Sequence, residues 1–227
     1  MNDVIYECVV TSVSPDGQPH VAPMGVRYGP GAAGAVGSAG AAGAAGAVRA
    51  ASAGEAGAAA AAGTVVLMPF VPSTTLSNIV AVRHAVLNIV LDTRVFAGCV
   101  TGRKTWPTLP AERVPGVRLQ AALSHIELRL ESTSDDPQRP VLQMARVHEV
   151  QHAPLGGFFG FNRAQSAVIE GAVLVSRLHM LPPEKVTTEL AYLQIAIDKT
   201  AGPEEHEAWG WLLDAVARYR ASQTAAS

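Results

Sequence analysis

The sequence predicts an α+β fold in which a mostly antiparallel sheet or barrel comes first and helices follow. Two observations support this prediction. The first part of the chain contains β-branched and aromatic runs separated by turn signals, whereas apolar residues after residue 154 recur at helical spacing. Strands that come first and helices that come last are typical of α+β proteins.

A Gly- and Ala-rich insert, residues 31–63, interrupts the strand-rich part. It contains 9 Gly and 18 Ala in 33 residues. Its first glycines recur every third residue, but no proline fills the positions between them, so a collagen triple helix is excluded. We interpret the insert as a mobile loop at a hairpin tip. The remaining residues suit one barrel domain, 1–153, with a helical region, 154–227, packing on it.

Six runs have strand character. The first two are separated by the turn Ser14–Gly17 and are expected to pair as a hairpin. The fourth run is apolar except for Asn88, which is typical of a strand buried on both faces. The last two flank a second turn and are expected to form a long hairpin. In order, the predicted strands are 4–13, 20–28, 64–70, 85–91, 117–132 and 141–151.

Capping residues mark where the helices begin. Ser73, Thr74 and Thr75 form an N-cap cluster that predicts a short helix, and Asp92 predicts a second one that runs to Val100. Residues 103–117 contain three prolines and are expected to be a loop. Three further helices are expected near the end of the chain: one capped by Asn162, one over 184–197 and one opened by Pro203.

The charge and the cysteine content indicate which partners and which cellular compartment to expect. The net charge is −2, with 17 basic and 19 acidic residues, so nucleic acid is not an expected partner. No run approaches the ~18 uncharged apolar residues that a membrane span needs. Cys8 and Cys99 are the only cysteines, which predicts two buried thiols in a reducing cytoplasm rather than a disulfide framework.

The stretch His148–His152 matches the zinc-protease pattern H-E-x-x-H, whose chemistry needs both histidines on one helical face. Pro154 and two glycines would end such a helix immediately. On a strand the two histidines would lie about 13 Å apart, too far for one zinc ion. We therefore expect a solvated strand and no metal site, and a zinc hydrolase is kept only as a third hypothesis.

Residues 98–105 resemble a phosphate-binding loop, but the glycine spacing is one residue short and Arg103 precedes the lysine. Nucleotide triphosphate binding is therefore not expected. Cys99 could be proposed as a nucleophile, but its apolar neighbourhood predicts core packing.

Two stretches that match no known motif together predict a site for a cofactor with a ring and a phosphate. Pro23 and Gly25 interrupt the second strand, so that strand lies at an edge or lets something flat approach its backbone. Hydroxyl groups and free N–H groups meet at the helix start Ser73–Asn78, where an anion can bind. The alternative for the second stretch is a plain capping box.

The order of several short motifs resembles a family of FMN-binding, flavin-reductase-like split-barrel proteins of uncharacterised function. Its members are associated with tetrahydromethanopterin-linked one-carbon metabolism. The motifs that carry the resemblance are Glu7–Thr11, Asp16–Gly17, Ala22–Val26, Ser73–Thr75 with Asn78, Asn88 with Asp92, and Asn162–Leu178.

The resemblance implies a split β-barrel of about six strands that forms a homodimer, with one FMN in each cleft at the subunit interface. The phosphate and ribityl chain would be held by Ser73, Thr74, Thr75 and Asn78, and the isoalloxazine would face the backbone of Ala22, Pro23, Met24, Gly25 and Val26. Asn88 is a further candidate hydrogen-bonding partner. The flavin-reductase branch often has Lys-Asp-Thr where this chain has Ser-Thr-Thr, which leaves the phosphate charge to the helix dipole and to Arg27 or Arg163.

The function expected from the resemblance is that of a cytoplasmic FMN-dependent oxidoreductase acting on a small molecule, with a pterin or a one-carbon intermediate as candidate substrates. The sequence identifies no catalytic residue, which is common where the cofactor carries the redox chemistry. The alternative is a protein that binds or carries FMN or a pterin on the same barrel without turnover.

Overall fold

The computed structural model describes residues 5–29, 63–152 and 162–225. The segment 30–62, which covers almost all of the insert, and the segment 153–161 lie outside the described residues. The strands are β1 (Tyr6–Val13), β2 (Pro19–Tyr28), β3 (Thr64–Leu67), β4 (His84–Ile89), β5 (Thr108–Pro110), β6 (Val117–Leu119), β7 (Ser124–Thr133) and β8 (Leu142–Gln151). The helices are α1 (Thr74–Val82), α2 (Arg94–Val100), α3 (Arg163–Ser176), α4 (Pro183–Thr200) and α5 (Pro203–Ala225).

Six of the strands close into an antiparallel barrel in the order β1-β2-β3-β8-β7-β4. The predicted α+β class with a six-stranded barrel followed by helices is therefore confirmed. β1 and β2 form the predicted hairpin, in which Tyr6 lies opposite Val26 and Val13 lies opposite Pro19. β4 is buried on both faces along its centre, as its apolar composition predicts.

The barrel wall is apolar on both sides because side chains alternate along each strand. The inward residues form one buried cluster that includes Val10, Leu87 and Leu128. On the outer face, Val9 and Val21 belong to a second cluster, which they share with α2, α3, α4 and α5. The helices therefore pack against the outside of β1 and β2.

Close approach of α3 and α5 depends on a glycine. A Cβ atom at Gly171 would lie 2.7 Å from the ring of Trp209, so a larger residue would push the two helices apart. Trp209 is buried, and its indole N–H donates to Gln194 of α4 at 2.6 Å. Asn162 caps α3 as predicted, because its side-chain oxygen accepts from the Ala164 N–H at 2.8 Å.

The region before β7 differs from the prediction. The expected loop 103–117 contains β5, and the expected strand 117–132 is divided into β6 and β7. Side chains of distant barrel strands hold β6: the Thr11 hydroxyl donates to the Val117 carbonyl, and the Leu119 N–H donates to Asn88. These bonds join residues far apart in sequence, so local patterns do not reveal them.

The start of α2 also differs from the prediction. Thr93 occupies the N-cap position and makes no side-chain capping bond. Asp92 instead accepts from the Arg94 N–H at 3.0 Å. Asp92 therefore supports the first turn of α2, but it lies one residue before the N-cap rather than at it.

None of the helices in the described part of the chain has the length and apolar character that crossing a membrane requires.

Candidate functional site

The barrel is closed, but one edge of β2 is left unpaired over most of its length. β1 pairs with β2 from Pro19 to Val26, but on the other side β3 pairs only with the last residues of β2, Val26–Tyr28. Over residues 19–25, no described strand pairs with this second edge. Four residues of the predicted stretch Ala22–Val26, namely Ala22–Gly25, lie on it and are half-buried, whereas Val26 is buried and paired with Leu67 of β3. The expectation of an edge position for Pro23 and Gly25 is therefore met by this part of β2.

The side chains of the predicted stretch point to both faces of β2. Met24 and Val26 pack against the inner barrel cluster. Gly25 lies on the opposite, outer face, where a Cβ atom would come within 2.7 Å of Ile5 Cγ2 and 3.2 Å of Glu7 Oε1. The absence of a side chain at Gly25 thus makes room for Ile5 and Glu7. Both residues are exposed and lie where the described part of the chain begins.

Helix α1 packs against β1 and β2. Ser73 has extended backbone angles and its hydroxyl accepts from the Leu76 N–H at 3.2 Å, so Ser73 is the predicted N-cap. The Asn78 amide donates to the Ser12 hydroxyl at 3.1 Å. Because Ser12 lies opposite His20 in the hairpin, this bond fixes α1 near the first residues of β2.

The first turn of α1 has unused hydrogen-bond donors. The N–H groups of Thr74 and Thr75 have no partner within the helix, as is general for a first turn. The first turn carries no acidic residue. Thr75 is only 2% exposed. Asn78 is buried as well, since it is only 5% exposed.

Asn88 has a different environment from the rest of the predicted set. It is fully buried, and its amide nitrogen lies within 3.2 Å of the Val9 carbonyl, the Thr11 hydroxyl and the Val86 carbonyl. Its oxygen accepts from the Leu119 N–H at 2.7 Å. Both ends of the amide are used to join β6 to β1 and β4. We therefore give Asn88 a structural role.

The two arginines considered for the phosphate lie on different elements. Arg27 lies opposite Val66, at the end of β2 away from Ser12. Its Nε atom is buried and has no hydrogen-bond partner, so an acceptor brought to this end of β2 would satisfy it. Arg163 is the first residue of α3 and is exposed.

The H-E-x-x-H stretch lies on β8, which ends at Gln151, so the predicted strand is confirmed. His148 Nε2 lies 3.0 Å from Glu112 Oε2, whereas His152 Nε2 lies 2.7 Å from the ring of His125. The two histidines therefore have separate partners. In the described ranges, no group of three His, Cys, Asp or Glu side chains could hold a metal ion.

Both thiols have the environment of packed core residues. Burial raises the pKa of Cys8 to about 12 and the pKa of Cys99 to about 11. The Cys99 Sγ–H donates to the Val21 carbonyl at 3.5 Å. Each thiol is therefore uncharged and weakly reactive at neutral pH, as predicted for Cys99.

A cavity of about 580 Å³ was not expected from the sequence. It lies between α2, α5 and the β5–β6 hairpin, and Trp106 and Trp211 form part of its wall. Arg94 in the same wall is paired with Asp92, Glu204 and Glu207. Because acidic groups outnumber the arginine, this cavity is not suited to a phosphate.

A second unexpected feature is the contact of two buried titratable side chains, His125 and Glu127, on β7. Both are completely buried. Their spacing of two residues on one strand places them on the same face, which is the only sequence signal that could have indicated the pair.

Comparison with known proteins supports the barrel and its family. Residues 55–153 match the N-terminal domain of the family described as "Protein of unknown function (DUF447)", and residues 162–214 match the C-terminal part of the same family. A search of the curated proteins found no match. An FMN-bound DUF447 protein from Methanosarcina mazei is similar in structure, with a TM-score of 0.68 and 15% identity over 95% of this chain and 96% of that one.

Two further solved structures have lower similarity. The 2-nitrobenzoate 2-nitroreductase of Pseudomonas fluorescens has a TM-score of 0.45 and 18% identity, covering 64% of each chain. An FMN-binding protein from Thermus thermophilus, solved with 1-cyclohex-2-enone, has a TM-score of 0.47 and 8% identity over 68% of this chain and 75% of that one. The two domain matches lie in order and together cover more than half of the sequence. The chain therefore belongs to the DUF447 family.

Proposed function

We propose that this protein is an FMN-binding flavoprotein whose cofactor lies between the open edge of β2 and the start of α1. The observation that carries the proposal is a half-buried edge of β2 that no described strand pairs with, on a strand whose first residues lie near α1. The N–H groups of Thr74 and Thr75 and the Thr75 hydroxyl suit a phosphate. The backbone of Ala22–Val26 suits a flat ring that carries both donors and acceptors.

Two unsatisfied groups of this chain fit such a ligand. The N–H group of Thr75 has no partner within α1, as is general for a first turn, and the buried Arg27 Nε has no partner among the described residues. They lie toward opposite ends of the open edge, so one elongated ligand with acceptors at both ends would satisfy both. We assign the phosphate to α1 and place Arg27 toward the ring end. FMN binding by the Methanosarcina mazei protein of the same family supports FMN as the ligand.

The reaction we propose is oxidation or reduction of a small molecule. Bound FMN would supply the redox chemistry, and the residues around it would bind and orient the cofactor. The resemblance noted from sequence makes a pterin or a one-carbon intermediate the candidate substrate. The alternative is a carrier without turnover, which is favoured by one observation: none of the ten predicted site residues has an acidic or basic side chain.

We further propose a homodimer in which the cleft lies at the subunit interface. Exposed apolar side chains border the cleft: Ile5 and Tyr6 lie near Gly25, and Phe70 and Val71 precede α1. Their exposed fractions are 49%, 45%, 60% and 46%. A second subunit would remove this apolar surface from water. Free thiols at both cysteines are in keeping with the proposed cytoplasmic location.

The test is the absorption spectrum of the purified protein after it has been mixed with FMN and desalted. We expect the flavin bands to be retained with one FMN per chain, and we expect the protein to elute as a dimer. A colourless protein after desalting would contradict the cofactor assignment. Anaerobic mixing of the loaded protein with NADH or NADPH then separates the two functions, because a carrier would not be reduced at a useful rate.

A further inference from the structure

A carboxylate fixed in the barrel wall begins a chain of hydrogen bonds that reaches the surface. Glu127 is fully buried, and its oxygens accept from the backbone N–H groups of Glu112, Arg113 and Val114, each at 2.7 Å. Burial alone would raise the pKa of Glu127, but these bonds and one from His125 together hold it below its usual value. Glu127 is therefore an anion at neutral pH.

The next member of the chain is His125, which is also fully buried. Its Nε2 lies 3.2 Å from Glu127 Oε1. A carboxylate can only accept, so Nε2 of His125 carries the proton and donates. In the neutral ring, the other nitrogen, Nδ1, is then an acceptor.

The chain ends at His152, which is exposed and follows β8. Nε2 of His152 lies 2.7 Å from Nδ1 of His125. The two rings are parallel to within 1°, with centroids 4.9 Å apart, which fits two coplanar rings joined edge to edge by an N–H···N bond. His152 therefore donates from Nε2, and its Nδ1 lone pair is left without a partner among the described residues.

Several charged groups surround this exposed ring. The backbone N–H of His152 donates to the Leu123 carbonyl at 2.8 Å, which places the residue beside the segment that follows β6. Arg118 lies on β6, five residues before Leu123; its guanidinium donates to the Leu119 carbonyl at 3.3 Å and makes no ion pair with any described residue, while Glu112 is bonded to His148. Partial burial, Arg118 and His125 lower the pKa of His152, against the opposing effect of Glu112. The ring is thus a neutral base at pH 7.

We propose that His152 is a proton-transfer residue for a small anionic ligand, with His125 and Glu127 as its positioning residues and Arg118 as the group that binds the ligand's charge. A proton passes from an acidic O–H or N–H of the ligand to Nδ1 of His152, and the bonding electron pair stays on the ligand. The imidazolium is stabilised through His125 by Glu127. The proton returns by the same bond, so no oxidant or reductant is required. The residues of this site lie on β6, on β7 and after β8, and none of them is among those proposed to hold FMN.

The first test uses the full-length protein without FMN and records the histidine ring ¹⁵N and ¹H NMR signals as a function of pH. We expect His152 to carry its neutral proton on Nε2, and we expect the ring signals of His125 to change at the same midpoint as those of His152. A proton on Nδ1 of neutral His152 would overturn the proposal. So would a His125 ring that does not respond when His152 titrates.

Variants then test whether the buried anion acts on the exposed ring. Glu127→Gln should lower the pKa of His152 by roughly one unit, because the imidazolium loses its counter-charge. His148→Gln is the control, since His148 lies opposite Glu127 on β8 but is bonded to Glu112, and its effect should be several-fold smaller. Equal shifts in the two variants would overturn the assignment of positioning residues.

Glu127 also holds the backbone of residues 112–114, so its substitution can prevent folding. His152→Gln changes only the exposed end of the chain of bonds and serves as the second variant. In this protein the His125 signals should lose the change that accompanies titration of His152. An unchanged His125 transition would overturn the proposal.

The ligand class is tested with inorganic phosphate, an anion that carries a transferable proton near neutral pH. At constant ionic strength, we expect phosphate to shift the His152 ring signals saturably, and we expect Arg118→Gln to weaken the apparent affinity at least about tenfold, a typical effect of losing a charge-assisted bond. A shift that does not saturate, or one that chloride reproduces, would overturn the anion assignment.

Discussion

Asn88 and Asn78 are both almost completely buried, yet their surroundings differ. Both ends of the Asn88 amide are bonded to the protein, and they join β6 to the barrel. Asn78 makes one side-chain bond, to Ser12, and its side-chain oxygen has no partner among the described residues. It also lies one turn from the unused donors at the start of α1. A buried amide that the protein satisfies is structural, whereas an amide with unused capacity beside a cleft can serve a ligand.

The largest expected effect is on stability, from Asn88→Ala. The substitution leaves the Leu119 N–H buried without an acceptor and removes the bonds to β1, so we expect the free energy of unfolding to fall by about 3 kcal/mol. Urea denaturation measures it, with the exposed Ser77→Ala as control. The folded fraction should bind FMN as the unchanged protein does. A loss below about 1 kcal/mol would remove the distinction between the two asparagines.

Thr75→Ala combined with Asn78→Ala should act mainly on the cofactor. We expect the FMN dissociation constant to rise at least about tenfold, equivalent to about 1.4 kcal/mol, because two groups beside the phosphate are lost. Flavin fluorescence quenching measures the constant. Thr75→Ser keeps the hydroxyl and should bind nearly as tightly as the unchanged protein. If the double variant retains full affinity and a normal fold, the phosphate lies elsewhere.

A smaller effect on affinity is expected from Gly25→Asp, which tests the ring end of the cleft. The new side chain would meet Ile5 and lie beside the Glu7 carboxylate, so both volume and charge oppose a ring on this face. We expect several-fold weaker FMN binding in the same titration. Gly210→Asp is the control, because no atom lies within 4 Å of the position of its Cβ. Equal binding by the two variants would contradict a ring at Gly25.

The smallest expected effect concerns Glu7, whose pKa is raised by partial burial and by Glu170, against the opposing effect of Arg177. A carboxyl group whose pKa is higher in the folded than in the unfolded state destabilises the fold when it is ionised. This destabilisation is therefore absent at low pH and present at pH 7. Glu7→Gln should therefore raise the melting temperature slightly at pH 7 and leave it unchanged near pH 3. A lower melting temperature at pH 7 would mean that Glu7 is stabilised as an anion.

Local signals in the sequence were sufficient for the elements that depend on neighbouring residues. Ser73 and Asn162 cap their helices through bonds to residues two or three positions away, and the apolar run of β4 indicates a strand buried on both faces. The open edge of β2 could also be anticipated, because Pro23 and Gly25 both disfavour a central strand position.

Long-range contacts explain what could not be predicted. Asn88 was a candidate for the cofactor because a lone polar residue in an apolar strand looks available, and only the fold shows that Leu119, 31 residues later, uses it. The bond between His125 and His152 spans 27 residues and depends on the register of β7 and β8. Spacing alone directed attention to His148 with His152, whereas the fold pairs His152 with His125.

The attachment of the β5–β6 hairpin has a consequence for how this protein can change over evolution. Barrel side chains, namely Thr11, Asn88 and Glu127, hold the backbone atoms of the hairpin and of the segment between its strands. The hairpin is therefore held by side chains of the barrel and by its own backbone atoms, so many of its side chains can be substituted without loss of these bonds. Substitutions that preserve the backbone path could alter the surface beside His152 without loosening the hairpin, which makes this segment a natural place for new specificity to arise and a practical one for loop grafting.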